Sequence, residues 1–409
     1  MKKHNWWGRN HHYKTFAILL AAGVFCCGRH PNSNYDTLFK ISYSRVQGFA
    51  SQKGPVLEWD SASANNEDEP RVAGSSVRPL GLRIRWLGVA GYEISDDSTV
   101  ILIDPFVSRP TFVQLLNTIK IDTNAVKHYI LAPLQMQNVK VVLISHAHHD
   151  HLQDIPYILA QYPSPKARPL VVGSQSAHDL IMGYTRGVGI KWVDAVGGLQ
   201  DSQTKILAFS PGKKSCMQKS GNISCEVGTF GNFTITAFAS DHSSYDYLGS
   251  AVLGGTVHGK PPYTGTGYKM RSNTSIGYLI EYQGIRIFFT ESPIVRHANE
   301  IGNVDILIQG IAARRDYNTI SGTLASLQPE YVIPGHYDNF FKPLKKFETF
   351  DVRIGFGPVD FSRFEQFVTS FERYYVERAR KRLTQNAHSF KPKLRLMKLF
   401  YYYSLVNLL

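Results

Sequence analysis

From residue 82 onward the chain alternates short apolar runs with polar turns. Residues 83–87 (Arg-Ile-Arg-Trp-Leu) alternate polar and apolar positions, the pattern of a half-buried strand. Gly88 and Gly91 mark turns, residues 92–94 continue the pattern, and Asp96 with Asp97 turns a hairpin into the apolar run 100–103. Residues 140–144 read as a buried strand closed by Ser145, and Leu152, Ile155, Ile158 and Leu159 then keep helical spacing, with Pro156 tolerable in the first turn. A strand is expected at 170–172, a helix over 174–184 capped by Ser174, and a strand at 191–193. Strands then dominate, at 206–209, 233–238, 276–282 and 285–290, with a tight hairpin at Gln283 and Gly284. Further strands are read at 304–308 and 331–333, with a short helix at 321–327 between them. No internal repeat is visible. Two strand-rich halves with interspersed helices predict an α/β architecture in which two sheets pack together with helices outside.

Both ends of the chain differ from this body. Residues 61–70 are a polar linker inside an irregular extension, 28–80. Residues 361–382 form a helical pattern with Phe364, Phe367, Phe371, Tyr374 and Tyr375 on one face. The basic, apolar stretch 391–403 fits either an anionic membrane surface or the edge of the domain. Charge changes the picture next. The net charge is +13, but Lys2, Lys3, Arg9, Lys14 and Arg29 lie in the first 30 residues, and nine Lys or Arg face only Glu372 and Glu377 over 372–398. The body is close to neutral, which argues against a nucleic-acid groove. The basic head and the apolar core at 15–25 have the form of an export signal, too short to span a bilayer. Cys26 and Cys27 follow it directly, so a lipoprotein anchor in a bacterial envelope is one expectation. Cys216 and Cys225 are the remaining cysteines, readable either as a disulfide in an exported chain or as two free thiols.

The chemistry concentrates in His146-Ala147-His148-His149-Asp150-His151, directly after the strand at 140–144. Residues two apart in an extended segment point the same way, so His146 and His148 face one point. Asp150 and His151 follow where the chain turns towards a helix. Imidazoles and carboxylates together suit zinc first, with manganese or iron as alternatives. His149 is expected to face away. Three further residues follow predicted strands in the same manner: His242, Glu291 and His336. Asp241 and Asp338 beside them are candidates for orienting a ligand. Asp104, at the end of the run 100–103, reads equally as a strand-end cap or as a carboxylate that orients a metal-bound imidazole. There is no Gly-x-Ser-x-Gly elbow and no phosphate-cradling Gly loop ending in Lys-Ser/Thr. The Gly-rich stretch 254–267 is expected as a loop at the rim of the site.

The motif His146-x-His148-x-Asp150-His151 resembles that of the metallo-β-lactamase fold superfamily, over residues 81–345. Within it the chain looks most like the branch of ascorbate-6-phosphate lactonases and N-acyl phosphatidylethanolamine-hydrolysing phospholipase D. The residues behind that are Trp86-Leu-Gly, Ile101-Leu-Ile-Asp-Pro-Phe106, Ala239 to Ser243 with Leu253-Gly-Gly following, and Pro334-Gly-His-Tyr-Asp-Asn-Phe-Phe341. The resemblance implies an αββα sandwich of two mixed sheets followed by a helical, basic extension, 346–409. It implies two divalent ions, one held by His146, His148 and His242, the other by Asp150, His151 and His336. Where the superfamily usually places an Asp between the ions, this chain reads Thr290-Glu291-Ser292. The implied activity is hydrolysis of a phosphodiester, lactone or other ester, small-molecule or lipid, by a metal-activated water that Asp150 orients. The alternative is an envelope-anchored, non-catalytic binding or scaffold protein that retains the fold with one ion or none.

Overall fold

The computed structural model describes residues 81–111, 114, 120–174, 176–177, 180–181, 206–209, 217–219, 224–241, 274–291, 295, 298–311, 317–336, 338 and 344, and towards the C-terminus 367, 369–371, 373–374, 377, 393–394, 397, 399–400 and 402–404. The export segment, the extension 28–80, the strand at 191–193, Cys216, His242 and the loop 254–267 lie outside the described residues.

Strands β1 (Arg83–Gly88), β2 (Gly91–Ser95), β3 (Val100–Ile103), β4 (Val139–Leu143), β5 (Leu170–Ser174) and β6 (Ile206–Phe209) form one sheet in sequence order. The first three pair antiparallel; from β3 onward the pairing is parallel. The second sheet repeats the scheme. Strands β7 (Met217–Lys219), β8 (Ser224–Phe230), β9 (Phe233–Asp241), β10 (Thr274–Tyr282) and β11 (Ile285–Thr290) pair antiparallel. From β11, strands β12 (Ile306–Gly310), β13 (Tyr331–Gly335) and β14 (Lys393–Leu394) continue in parallel. A last strand, β15 (Tyr402–Ser404), returns to the first sheet and pairs with β1. The stretch 391–403 therefore supplies an edge strand to each sheet.

The parallel strands are apolar on both faces because both faces are covered. Val100, Leu102, Val142 and Val171 face an outer layer that includes Val126, Ile130, Ile155, Ile158 and Leu159. Tyr92 on β2 meets Phe289 on β11 edge-on, with ring centroids 6.1 Å apart, so the opposite faces of the two sheets pack on each other. This is the expected sandwich of two mixed sheets flanked by helices.

Several boundaries move for identifiable reasons. The hairpin at Gln283 and Gly284 has φ of 47° and 90°, the paired positive values of a type I′ turn. Asp96 makes the other turn, its Oδ1 accepting from Ser98 N at 2.8 Å and Thr99 N at 2.7 Å. The strand expected at 304–308 begins at Ile306, because Val304 N donates to Leu327 O at the end of the helix Tyr317–Leu327. That helix starts four residues before the expected Ser321. The pair β7 and β8 was not expected, since Met217–Lys219 carries no apolar alternation.

The half-buried reading of residues 83–87 is corrected. All of β1 is buried, with Arg83 0% and Arg85 1% exposed. Arg85 pairs with Glu93 at 2.6 Å, lies 4.8 Å from the centre of the Tyr402 ring, and Tyr402 Oη donates to Glu93 at 3.1 Å. Alternation marks the right strand, but the Tyr402 ring of β15 covers Arg85, whose charge is matched by the buried Glu93. Removing one member of such a pair leaves an uncompensated buried charge and costs about 3–5 kcal/mol, whereas replacing both with apolar residues is far cheaper. Arg85→Ala should therefore lower unfolding free energy by about that much in urea, and Arg85→Met with Glu93→Leu should recover most of it. A single-variant loss below about 1 kcal/mol would contradict this.

Candidate metal centre

The site forms where parallel strands of both sheets end. In the first sheet, Asp104 follows β3 and residues 145–151 follow β4. Asp104 N donates to Leu143 O at 2.9 Å, which ties the two strand ends together. Asp104 takes φ +41° and turns its carboxylate inward, fully buried. It accepts from Ser145 N at 2.7 Å, from the Ser145 hydroxyl, and from His151 Nδ1 at 2.8 Å. Of the two readings of Asp104, the structure shows the orienting carboxylate.

Proton bookkeeping follows from that network. The Ser145 hydroxyl donates to Asp104, so its oxygen is free to accept from His146 Nδ1, 3.1 Å away. His151 likewise spends its Nδ1 proton on Asp104. The Nε2 lone pairs of both rings are then directed into the site. His146 Nε2 lies 3.0 Å from His148 Nδ1. His151 Nε2 is buried without a hydrogen-bond partner among the described residues and sits 3.6 Å from Asp150 Oδ2. The His146 and His151 rings lie with centroids 3.7 Å apart and planes tilted by 46°, so the two pairs are adjacent.

In the second sheet β11, β12 and β13 end together, with Thr290 opposite Gln309 and Gly310 opposite Gly335. His336 follows β13 with φ +59°. Its Nε2 lies 3.2 Å from Asp150 Oδ2 and its Nδ1 lies 3.1 Å from Glu291 Oε2. Asp150, His151 and His336 thus bring one ligand atom each within 4.8 Å of one another. The sheets are locked beneath the site: Ile276 N donates to Ser145 O at 2.8 Å, and Tyr278 Oη donates to Ile144 O at 2.7 Å.

These residues fit a divalent ion. In a tetrahedral zinc site with bonds of roughly 2.0–2.1 Å, neighbouring ligand atoms lie about 3.3 Å apart. The spacings of 3.0, 3.2 and 3.6 Å fall around that value. His151 Nε2 facing a carboxylate in a buried place is satisfied by a proton or by a metal ion between them: burial opposes the imidazolium, but Asp150 and Asp104 raise the His151 pKa. Burial raises the pKa of Asp150, but His151, His149 and His336 outweigh it and hold the carboxyl well below its usual range. Burial opposes the His336 imidazolium, yet hydrogen bonds to Asp150 and Glu291 and their charges raise its pKa to about 10.

Not every expectation lands in the centre. His146, His148, Asp150, His151 and His336 converge; His242 is outside the described residues; Glu291 lies on the far edge of the His336 ring from Asp150. His149 is buried and packs edge-on against Phe106, with its Nδ1 3.7 Å from Asp150 Oδ1. Asp338 orients no imidazole among the described residues. It pairs with Arg109 and accepts from Val89 N at 2.8 Å, while His336 N donates to Val89 O at 2.8 Å. The β1–β2 turn is thereby clamped to the His336 loop. Ser145, Asp154 and Arg109 had no distinguishing signal in the sequence. Asp154 looks like a helix cap but accepts instead from Val107 N at 2.7 Å, Ser108 N at 3.0 Å and the Ser108 hydroxyl, with burial raising its pKa to about 6.

A family model described as the beta-lactamase superfamily domain matches residues 83–336. The chain belongs to the metallo-β-lactamase superfamily. A metal-dependent hydrolase of Methanobrevibacter smithii is 34% identical over 74 residues, 18% of this chain and 24% of that protein. Another, of Aeropyrum pernix, is 26% identical over 147 residues, 32% of this chain and 52% of that protein. The chain therefore spans about a quarter and about half the length of these curated relatives. Among solved structures, the metallo hydrolase Igni18 of Ignicoccus hospitalis has a TM-score of 0.40 at 15% identity, covering 78% of this chain and 97% of its own. The metallo-β-lactamase fold protein YhfI of Bacillus subtilis has 0.41 at 13% identity, covering 79% and 100%.

A raised imidazole pKa has a defined sign in stability. The contribution from His336 is complete below its unfolded value of about 6.5 and is lost as pH rises towards about 10. After EDTA treatment the melting temperature should fall between about pH 7 and 10, and His336→Asn should flatten that slope. An equal slope in the variant would contradict the assignment.

Proposed function

We propose that this chain is a metal-dependent hydrolase acting on a phosphodiester, a lactone or another ester. One observation carries the reading: His151 Nε2 and His336 Nε2 converge on the ionised Asp150 carboxylate, beside the facing nitrogens of His146 and His148. Two divalent ions, zinc before manganese or iron, would be held by Asp150, His151 and His336 on one side and by His146 and His148, with His242 as the resemblance implies, on the other. Such ions supply Lewis acidity and a water activated near neutral pH.

The chain's own residues do the rest. Asp150 stays charged at any working pH, and its carboxylate would accept a hydrogen bond from the attacking water and so aim the water's lone pair at the substrate. Asp104 and Ser145 keep His146 and His151 in the tautomer that leaves Nε2 open. The name of the two archaeal relatives, metal-dependent hydrolase, supports the same reading. Export of the chain, supported by the basic and apolar residues 2–25, and contact with an anionic membrane, supported by the basic residues 378–398, belong to the same proposal.

Elemental analysis of the purified protein should find about two metals per chain, and His148→Ala should lose about one. Hydrolysis of bis(p-nitrophenyl) phosphate, simple lactones or phospholipids should stop with EDTA, and Asp150→Asn should lower kcat at least ~100-fold. A chain that takes up no zinc, manganese or iron would return the protein to the non-catalytic binding reading.

A further inference from the structure

We infer that Glu291 is a positioning residue that grips the outer nitrogen of His336, and that Gly310 is the gap that lets it do so. This rests on the metal-dependent reading above and changes the part Glu291 plays in it.

The geometry separates the two edges of the His336 ring. Nε2 faces Asp150 Oδ2 at 3.2 Å, and Nδ1 faces Glu291 Oε2 at 3.1 Å. A carboxylate at Nδ1 lies across the ring from the point where Asp150, His151 and His336 converge. It cannot reach between two ions there without abandoning His336. The arrangement repeats one already seen in the other sheet, where Asp104 holds His151 Nδ1 at 2.8 Å and leaves His151 Nε2 turned to the same Asp150 oxygen. Each imidazole of this ligand set is therefore fixed from behind by a buried carboxylate that follows a strand of its own sheet, β3 for Asp104 and β11 for Glu291. That is the arrangement by which a carboxylate sets the tautomer and orientation of a metal-binding histidine.

The longer side chain needs room, and β12 provides it. Gly310 lies on the strand between β11 and β13, and a Cβ there would overlap the Glu291 carboxylate. Since the collision would be with the far end of a flexible side chain, Gly310→Ala should push the carboxylate off His336 while leaving Glu291 in the chain. An Asp at 291, one methylene shorter, would not span the distance from β11 to Nδ1. The departure at 291 and the glycine at 310 thus form one device.

The test compares Glu291→Gln, Glu291→Ala and Gly310→Ala with the wild type. Zinc stoichiometry is read by elemental analysis at saturation, affinity by competition with a chromophoric chelator, and folding by circular dichroism. The Gln amide oxygen can still accept from His336 Nδ1, so Glu291→Gln should stay within about tenfold of wild-type affinity. Glu291→Ala and Gly310→Ala should weaken one zinc by about 10–100-fold. All three should still reach the wild-type number of ions at saturation. If Glu291→Gln loses one equivalent as completely as Glu291→Ala, Glu291 is a bridging ligand and the inference fails while the hydrolase reading stands. A wild type that binds no zinc would overturn both.

Discussion

The site depends on one constraint: a buried imidazole must point a single nitrogen at a common centre and hold it there. An imidazole has two nearly equivalent nitrogens, and water would let either carry the proton. Asp104 removes the choice for His151 by accepting from its Nδ1. Ser145 makes the same selection for His146: its hydroxyl donates a hydrogen bond to Asp104, which leaves its oxygen to accept from His146 Nδ1. A desolvated carboxylate is costly unless every lone pair is used. Asp104 takes three donors against that cost, and burial still raises its pKa.

The two sheets then explain why the ligands meet. Each has an antiparallel part followed by a parallel part, and each delivers its chemistry from parallel-strand ends, neighbouring ones in the first sheet and the two that flank β12 in the second. Parallel strands end side by side, so residues following β3 and β4, or β11 and β13, lie close together without long loops. The link from Ile276 N to Ser145 O sets one sheet's strand ends against the other's. Tyr278 reinforces it, its hydroxyl donating to Ile144 O just before the His motif. The clamp formed by Asp338, Arg109 and Val89 holds the loop that carries His336 to the β1–β2 turn.

Much of this was legible in the sequence because the signals are local. The apolar run before His146, the two-residue spacing of His146 and His148, and the glycine turn at Gln283 and Gly284 each report a backbone geometry within a few residues. His336 was legible for the same reason, as a ligand-type residue directly after a strand. What escaped depends on contacts distant in sequence. Nothing near residue 85 says that Tyr402 will cover it, so Arg85 read as solvent-facing. Asp338 sits two residues from His336 and invited a role in orienting it, yet Arg109 and Val89 claim its carboxylate. Asp154 drew no reading at all, because its partners lie at Val107 and Ser108. The part of Glu291 turns on Gly310, a residue with no chemistry of its own and nineteen positions away.

The most direct test of the account is anomalous diffraction from zinc-loaded crystals, which locates each ion without reference to activity. The account predicts two peaks roughly 3.5–4 Å apart on either side of Asp150. One should be ligated by His151 Nε2 and His336 Nε2, the other by His146 Nε2 and His148 Nδ1, with Glu291 still on His336 Nδ1. A single peak, or peaks remote from Asp150, would contradict it.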